Sequence, residues 1–268
     1  MSLDTEQASL AATTSTAAAG TGAGSGEQSG LWRWIGMPLF VIGILVAVTI
    51  AIRLTPVDAI EARSLNLDTL VGAAGRHIAL TAVSTTVVLV LAIPLGILLT
   101  RSWTSSFRGA LLTVANIGQA VPTIGLIALM AVAFNWIGFS ASIVALMSYA
   151  VLPVLRNTMV GIQGVDANVL EAGRGMGMSR MQVLWRLELP LAVPVMLAGI
   201  RTALVINVGT ATLAAYINAG GLGQIIIAGL ATNRLLVTMI GAALTAARAL
   251  SIDYVAGVAE ELLRPKGL

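Results

Sequence analysis

The sequence predicts an all-helical integral membrane protein with about six transmembrane helices. Of its 268 residues, 57% are hydrophobic and only 10% are charged, whereas a soluble domain usually has about 25% charged residues. Because so few charges cannot cover a water-facing surface, the composition excludes an ordinary soluble protein. Two further observations agree: the apolar residues are gathered in runs of transmembrane length, and one long polar segment interrupts those runs.

The N-terminal segment differs from the rest of the chain. Residues 1–30 are rich in Ala, Thr, Ser and Gly without apolar periodicity, which predicts a disordered tail. No charged stretch followed by an apolar core occurs there, which argues against a signal peptide. Six apolar runs follow this segment, each close in length to the roughly 20 residues that a helix needs to cross a bilayer. We therefore predict six transmembrane helices at 35–53, 78–100, 110–134, 137–155, 191–217 and 236–257.

These runs divide the chain into four parts. We expect the tail, then a first helix with an external loop over 31–75, a core of five transmembrane helices over 76–258, and a C-terminal tail over 259–268. The polar segment between the fourth and fifth runs, residues 156–190, is the polar loop.

The basic residues predict the orientation of the helices. An even number of spans places both termini on one side, and Lys and Arg are enriched in cytoplasmic loops. The side of the termini and the polar loop has Arg33, Arg101, Arg108, Arg156, Arg174, Arg180, Arg186, Arg264 and Lys266. The opposite side has Arg53, Arg63, Arg76 and Arg234. We therefore expect a multi-pass plasma (inner) membrane protein with cytoplasmic termini and a cytoplasmic polar loop.

Residue types exclude several kinds of site. The chain has no cysteine and a single histidine, His77, so disulfides and thiolate metal sites are excluded and we expect no metal centre. In a membrane protein the net charge of +3 reports topology, so no nucleic-acid partner is expected.

Local signals in the polar loop predict two short helices separated by a turn. Asp166 favours the start of the first helix, and Gly177 is placed where a left-handed residue would end it. Ser179 is a good N-cap for the second helix, and we expect Pro190 to end that helix at the membrane.

A partly apolar surface on this loop has two interpretations. Met176, Met178 and Met181 cluster at the turn, and Met181, Leu184 and Trp185 share a helical face. The loop is therefore either a docking surface for another protein or an amphipathic segment on the membrane surface.

The spacing of the loop resembles the cytoplasmic signature of ABC-importer permeases. That signature is E-A-A, three residues, G, nine residues, I-x-L-P. This chain has Glu171-Ala172-Gly173, then Gly177, then Leu187-Glu188-Leu189-Pro190, with both spacings intact. Gly replaces the second Ala, and Leu replaces Ile. The resemblance implies a type I ABC-importer permease fold in which the loop couples to an ATPase through Glu171, Ala172, Gly173, Gly177, Met178, Leu187, Leu189 and Pro190.

Flanking segments are similar to the osmoprotectant branch of these permeases, which carries glycine betaine, choline or proline. The similarity covers roughly 76–258 and includes IPLGILLTR, NIGQAVPTIGLIALM and ATLAAYINAGGLGQIIIAGL. The methionine-importer permeases share the GGLG stretch and are the alternative. Either resemblance implies a second permease subunit, identical or paralogous, two cytoplasmic ATPase subunits and an extracytoplasmic binding protein.

The chain itself contains no recognisable ATP-binding motif. A P-loop requires a Gly-rich turn followed by Lys-Ser/Thr, and the only lysine, Lys266, lies in RPKGL. We therefore expect a non-catalytic subunit that binds no cofactor, with ATP and Mg bound by the partner ATPase.

Polar residues at membrane depth are candidates for a translocation path, because they are costly there without a function or a partner. They are Asn116, Gln119, Asn207 and Thr210, with Pro122 able to kink the third helix. The alternative is that they form hydrogen bonds between helices.

Three further features lie in or beside the last two runs. Arg201 and Asp253 are candidates for an intramembrane ion pair, and Arg248 has no evident partner in the sequence. On the outer side, Gly220, Gly221 and Gly223 indicate either an external gate, which could also contact the binding protein, or a flexible connector.

Two other functional classes remain as alternatives. A secondary transporter would be expected to contain inverted repeats or broken helices with ion ligands, and no convincing repeat is present. A membrane scaffold would use the loop for docking alone and would leave Asn116, Gln119 and Asn207 without a transport role.

Overall fold

The computed structural model describes residues 29–263, with side chains from residue 34 onward. The chain divides into two compact units, Met1–Phe40 and Val41–Leu268. The described part of the first unit is helical, and the described part of the second consists of helices and turns without a strand. The predicted disordered tail lies almost entirely outside the described residues. The α-helices are α1 Ser29–Leu54, α2 Ala59–Leu65, α3 Leu67–Leu99, α4 Ser105–Ala120, α5 Thr123–Ala133, α6 Phe139–Gln163, α7 Ala167–Gly175, α8 Arg180–Val183, α9 Leu189–Thr210, α10 Gly223–Ala231 and α11 Leu235–Leu263.

Five continuous helical segments are long and apolar enough to cross a membrane: Trp34–Leu54, Leu67–Leu99, Phe139–Gln163, Arg180–Thr210 and Leu235–Leu263. The third predicted span, 110–134, is instead broken into α4 and α5, which meet at 90°. Because Pro122 has no amide hydrogen and disfavours a helical residue before it, Val121 is extended and the helix stops.

The bent pair α4–α5 makes a sixth crossing. The Arg76 guanidinium of α3 lies 4.6 Å from the centre of the Phe139 ring at the start of α6. Near the other ends of these helices, Gly96 packs against Thr158. Helices α3 and α6 therefore run in the same direction, and the segment joining them must return across the membrane. The predicted six spans agree with this architecture.

Several helices are longer than their apolar runs. Helix α3 begins at Leu67 rather than at 78, because the Asn66 side chain accepts a hydrogen bond from the Thr69 amide at 2.8 Å. Helix α6 continues beyond its apolar run to Gln163. In this extension Asn157 Nδ2 donates to the Pro153 carbonyl at 2.9 Å. Helix α11 continues to Leu263, so residues 259–263 of the predicted C-terminal tail are helical.

The centre of the second unit is a bundle of α3, α6 and α9. Small residues allow these helices to approach closely. A Cβ on Gly199 of α9 would lie 2.9 Å from the Pro153 carbonyl oxygen of α6, so this crossing requires glycine. One cluster of buried apolar residues in the bundle comprises Val88, Ala92, Leu99, Ala150, Val154, Leu155, Met159 and Ala203.

Candidate functional site

The polar loop contains the first of the two predicted short helices and the turn after it. The Asp166 side chain caps α7 by accepting a hydrogen bond from the Asn168 amide at 2.8 Å. Helix α7 ends at Gly175, and Gly177 has the left-handed φ of +84°. The Met178 amide then donates to the Gly173 carbonyl at 3.1 Å, which closes the turn.

A capping box starts the second helix of the loop. The Gln182 amide donates to Ser179 Oγ at 3.3 Å, and the Ser179 amide donates to Gln182 Oε1 at 2.7 Å. These reciprocal bonds satisfy two amide groups that a helix start leaves free. The predicted N-cap at Ser179 is therefore confirmed.

The expectation that Pro190 ends this helix is wrong. One continuous helical segment runs from Arg180 to Thr210. A single wide turn of π type, Leu184–Glu188, precedes the proline, and the Leu189 amide bonds to the Leu184 carbonyl across it. Pro190 occupies the first turn of α9. A wide turn relieves the clash that a proline ring otherwise makes with the carbonyl four residues before it, and such turns are frequent at functional sites.

The two departures from the permease signature are in contact with each other. A Cβ on Gly173 would lie 2.5 Å from Cδ1 of Leu187, and Met178 Sδ and Val183 lie close by. Gly173 is buried, whereas Glu171 and Ala172 are exposed. Leu187 thus holds α7 against the wide turn, and the loop forms one packed unit.

The crest of the loop is apolar and open. Side chains of Met176, Met181 and Trp185 are 72%, 62% and 64% exposed. Leu184 and Leu189 are half-buried and Pro190 is exposed. Large apolar side chains exposed together on a polar loop, and not covered by the described residues, are typical of a docking site.

An ion pair between buried Glu188 and half-buried Arg101, which the sequence did not reveal, lies at the base of the loop. Glu188 is only 5% exposed, and both of its carboxylate oxygens meet the Arg101 guanidinium. Arg101 follows α3, 87 positions earlier, so no local pattern joins the two residues. The available signal was an acidic residue at the foot of an apolar run, which requires a partner.

Of the path candidates, Asn116 and Gln119 face α6. Arg156 Nη2 donates to Asn116 Oδ1 at 2.7 Å, and Gln119 Nε2 lies 3.4 Å from the Tyr149 carbonyl. Asn116 is exposed and Gln119 half-buried. Beside the bend at Pro122, Tyr149 donates its hydroxyl hydrogen to the Val121 carbonyl at 2.5 Å. The polar groups of this region therefore gather along α4 and α6.

Asn207 and Thr210 lie elsewhere in the bundle. Asn207 is completely buried, and its Nδ2 donates to Thr85 Oγ1 of α3 at 2.9 Å. Thr210 donates to the Ile206 carbonyl of its own helix at 2.8 Å. The Asn207 contact is an interhelical hydrogen bond, which matches the alternative interpretation of that residue.

An ion pair connects helices α9 and α11. Arg201 Nε and Nη2 donate to the two carboxylate oxygens of Asp253 at 2.6 and 2.8 Å. Glu260, which the sequence did not suggest, lies 3.6 Å from Arg201 Nη1. Arg248 is half-buried at a cavity of about 740 Å³ between α1, α3 and α11. Its Nε has no hydrogen-bond partner among the described residues.

The glycine stretch before α10 is closely packed. Gly220 and Gly221 have φ values of +89° and +90°, and they lie against Arg76 and His77 of α3. Gly223 is buried against the backbone of Thr212. Because these contacts involve backbone and side chains of two elements, the stretch is a close-packed turn rather than a loose connector.

Comparison with known proteins places this geometry in a family. Residues 92–266 match the binding-protein-dependent transport system inner membrane component. The glycine betaine/carnitine/choline transport system permease protein OpuCB of Bacillus subtilis is 39% identical over 194 residues, 72% of this chain and 88% of that protein. The osmoprotectant import permease protein OsmY of Salmonella typhimurium is 41% identical over 178 residues, 66% of this chain and 75% of that protein.

A solved structure agrees with this assignment. An inward-facing conformation of the MetNI methionine ABC transporter superposes with a TM-score of 0.65 at 25% identity, covering 73% of this chain and 96% of that chain. The chain therefore belongs to the inner-membrane permease family of binding-protein-dependent transport systems, as a non-catalytic, multi-pass membrane subunit.

Proposed function

We propose that this protein is the permease subunit of an ATP-driven importer for osmoprotectants of the glycine betaine, carnitine and choline type. The main support is sequence identity: two proteins whose names give these transport activities are 39% and 40% identical to this chain over more than 190 residues. The methionine transporter of known structure is 25% identical. The larger identity favours osmoprotectants, and methionine is the second candidate.

The work of transport is divided among subunits. The family implies a complex with an ATPase and a binding protein. We infer that the complex has two ATPase subunits and that one of them docks on the polar loop of this chain, through its exposed apolar crest and the turn at Gly177. A second permease subunit completes the pore, and an extracytoplasmic binding protein delivers the solute.

The polar loop and both termini face the cytoplasm in this proposal. Nine basic residues on that side against four on the other support the orientation. The six crossings derived from the parallel directions of α3 and α6 support an even number of spans, with the termini on one side.

The path follows α4 and α6. Asn116 and Gln119 are the groups that we place along it, because they gather beside the bend at Pro122. Asn207 holds α9 to α3 instead. Quaternary ammonium ligands are usually held by aromatic cages, and only 4% of residues here are aromatic. Selectivity therefore resides mainly in the binding protein, and the path is permissive.

Transport occurs by alternating access. Closure of the ATPases on ATP displaces the polar loop and opens the path outward, and hydrolysis restores the inward-facing state. The buried glycine turn at Gly220–Gly223 belongs to the outer end and contacts α3, so it moves with that helix.

Uptake in proteoliposomes tests this function. The complex of this permease with its ATPase and binding protein is supplied with labelled glycine betaine, choline or methionine. ATP-dependent uptake of either osmolyte supports the proposal. Uptake of methionine alone replaces the substrate class, and uptake without ATP contradicts an ABC importer.

A matched pair of variants tests the coupling role of the turn. Gly177→Pro cannot adopt the positive φ and should abolish both ATPase binding and uptake. Gly177→Asn is the control, because Asn135, Asn218 and Asn233 already adopt φ of 48°, 59° and 54° in this chain.

A further inference from the structure

A charge contact between half-buried Arg101 and buried Glu188 lies at the base of the polar loop. Arg101 Nη1 donates to Glu188 Oε1 at 3.3 Å, and Arg101 Nη2 meets the other carboxylate oxygen. An unpaired carboxylate at 5% exposure would be strongly disfavoured. The end of the loop is therefore held where the Arg101 guanidinium lies.

Arg101 belongs to a rigid corner. The α3–α4 corner, residues 100–104, is bonded back to the last turn of α3. The Arg101 amide donates to the Leu98 carbonyl at 3.0 Å, and Arg101 Nε donates to Ile97 at 3.3 Å. Thr104 Oγ1 donates to the same Leu98 carbonyl at 2.7 Å. A force on Arg101 therefore acts on the whole corner.

The corner continues directly into α4. That helix starts at Ser105, and Arg108 Nε in its first turn donates to the Leu99 carbonyl at 2.7 Å. The same helix carries Asn116 and Gln119, the residues placed along the proposed path. A displacement of the corner is thus a displacement of the start of the path helix.

The other side of the ion pair leads back to α7. Glu188 is the last residue of the wide turn, and its neighbour Leu187 packs on Gly173. Elsewhere the corner and the loop are separated by a cavity of about 580 Å³, lined by residues of both, including Trp103, Arg174 and Arg180. The ion pair spans this gap and joins the loop to the corner directly. Beside it, Leu189 and Ile97 of α3 pack on the same apolar cluster.

We propose that Arg101 and Glu188 are positioning residues that transmit displacement of the polar loop to the α3–α4 corner and so to α4. The inference rests on the proposed function, since it requires a docked ATPase that moves the loop. It adds a specific connection between the docking surface and the path.

A purely stabilising pair makes a different prediction. If the contact only held the fold together, its loss would lower the stability or assembly of the complex, and the solute moved per ATP would stay constant in the complexes that form. If the pair transmits motion, assembled complexes continue to hydrolyse ATP but move less solute for each ATP.

The first measurement is the ratio of solute transported to ATP hydrolysed. Glu188→Gln keeps the shape of the side chain and removes its charge, and Asp58→Asn is the matched control, an Arg–carboxylate contact with Arg234 outside the loop. We expect Glu188→Gln to bind the ATPase normally while the ratio falls about tenfold, within the usual range of coupling energies. The reciprocal exchange of Arg101→Glu with Glu188→Arg should recover most of the ratio.

The second measurement does not depend on the identity of the solute. Because the chain has no cysteine, spin labels at Ser102→Cys and Ala167→Cys can report the distance between corner and loop in one labelled permease subunit. In the otherwise native protein this distance should be the same with and without trapped nucleotide. In Glu188→Gln it should change when nucleotide is trapped.

The outcomes are separable. A Glu188→Gln complex that assembles and keeps the native ratio and a constant distance overturns the inference. A reciprocal variant that assembles but stays as uncoupled as Glu188→Gln also overturns it. Lack of osmolyte or methionine uptake by the native complex contradicts the proposed function instead, and the spin-label distances then still decide whether the pair links loop and corner.

Discussion

Leu187 packs directly on Gly173: its Cδ1 atom would lie 2.5 Å from a Cβ on residue 173, closer than two non-bonded carbon atoms can approach. These two positions are the ones at which the chain departs from the Ala and Ile of the permease signature. The departures are therefore a compensating pair, in which the longer reach of Leu fills the volume that the missing Cβ leaves.

Gly173→Ala should destabilise the loop unless Leu187 changes with it. The added methyl forces the flexible end of Leu187 to move, at a cost of about 1 kcal/mol, the low end of the range for overpacking. Gly173→Ala with Leu187→Ile should recover most of this loss. A double-mutant cycle on the free energy of unfolding in detergent measures the coupling, and strictly additive effects would contradict the contact.

The conformation of Gly177 makes a separate prediction. At φ +84°, Gly177→Ala should cost about 1 kcal/mol through left-handed backbone strain, and ATPase affinity should fall accordingly. Gly175→Ala is the control, since Gly175 is exposed, helical and free of neighbours within 4 Å of a new Cβ. Equal affinities for the two variants would show that the left-handed turn does not matter for docking.

Arg201 should be required for stability of the permease, because it neutralises the acidic residues around it. Arg201→Ala leaves Asp253 and Glu260 without their cation in helix α11, and we expect a loss of about 2–3 kcal/mol, the cost of a charged residue in a membrane helix. The double variant Arg201→Ala with Asp253→Asn should be more stable than Arg201→Ala alone. Denaturant unfolding of the purified permease compares them, and no difference would mean that Asp253 is well solvated.

The short helix α2 should be sensitive to acid. The Glu61 amide, which bonds to the Asp58 carboxylate, lowers the pKa of Asp58, and the Arg234 guanidinium lowers that pKa further. The ionised Asp58 carboxylate caps the start of α2. Because its pKa is lowered, this cap is fully effective above the ordinary Asp pKa of about 3.9. Its contribution to stability is lost as the pH falls through the lowered pKa.

Mobility of a spin label at Ala62→Cys measures this effect. We expect constant mobility from neutral pH down to about 4, the ordinary Asp value, and an increase only below it. In an Asp58→Asn background the cap persists without titrating, so mobility should not respond to acid. A rise in mobility well above pH 4 with Asp58 present would contradict the lowered pKa.

Local features of the polar loop could be predicted from sequence because their causes are local. A cap at Ser179 depends on residues three positions apart, and the left-handed turn depends on Gly177 itself. The continuation of the helix through Pro190 was missed, because a wide turn accommodates the proline without ending the helix. The 90° bend was underestimated as a kink for a related reason: the Tyr149 hydroxyl, on another helix, satisfies the carbonyl of Val121.

Contacts between distant residues set the limit of sequence reasoning. Arg201 and Asp253 were paired by the expectation that charges at membrane depth need partners. The Arg101–Glu188 pair obeys the same rule, but the sequence did not predict it because both residues lie in segments that were expected to face water. Asn207 shows the reverse problem, since the sequence cannot distinguish a buried interhelical hydrogen bond from a path-lining group.

The right-angled break between α4 and α5 lets α4 act as a lever that rotates about the bend at Pro122. At about 1.5 Å per residue, the 16 residues of α4 give an arm of about 24 Å from the bend at Pro122 to the α3–α4 corner. Rotation by about 10° at the bend would move the far end by about 4 Å. Asn116, five residues from Val121, would move by only about 1 Å over the same rotation. A large displacement at the α3–α4 corner is thereby reduced to a small displacement at Asn116.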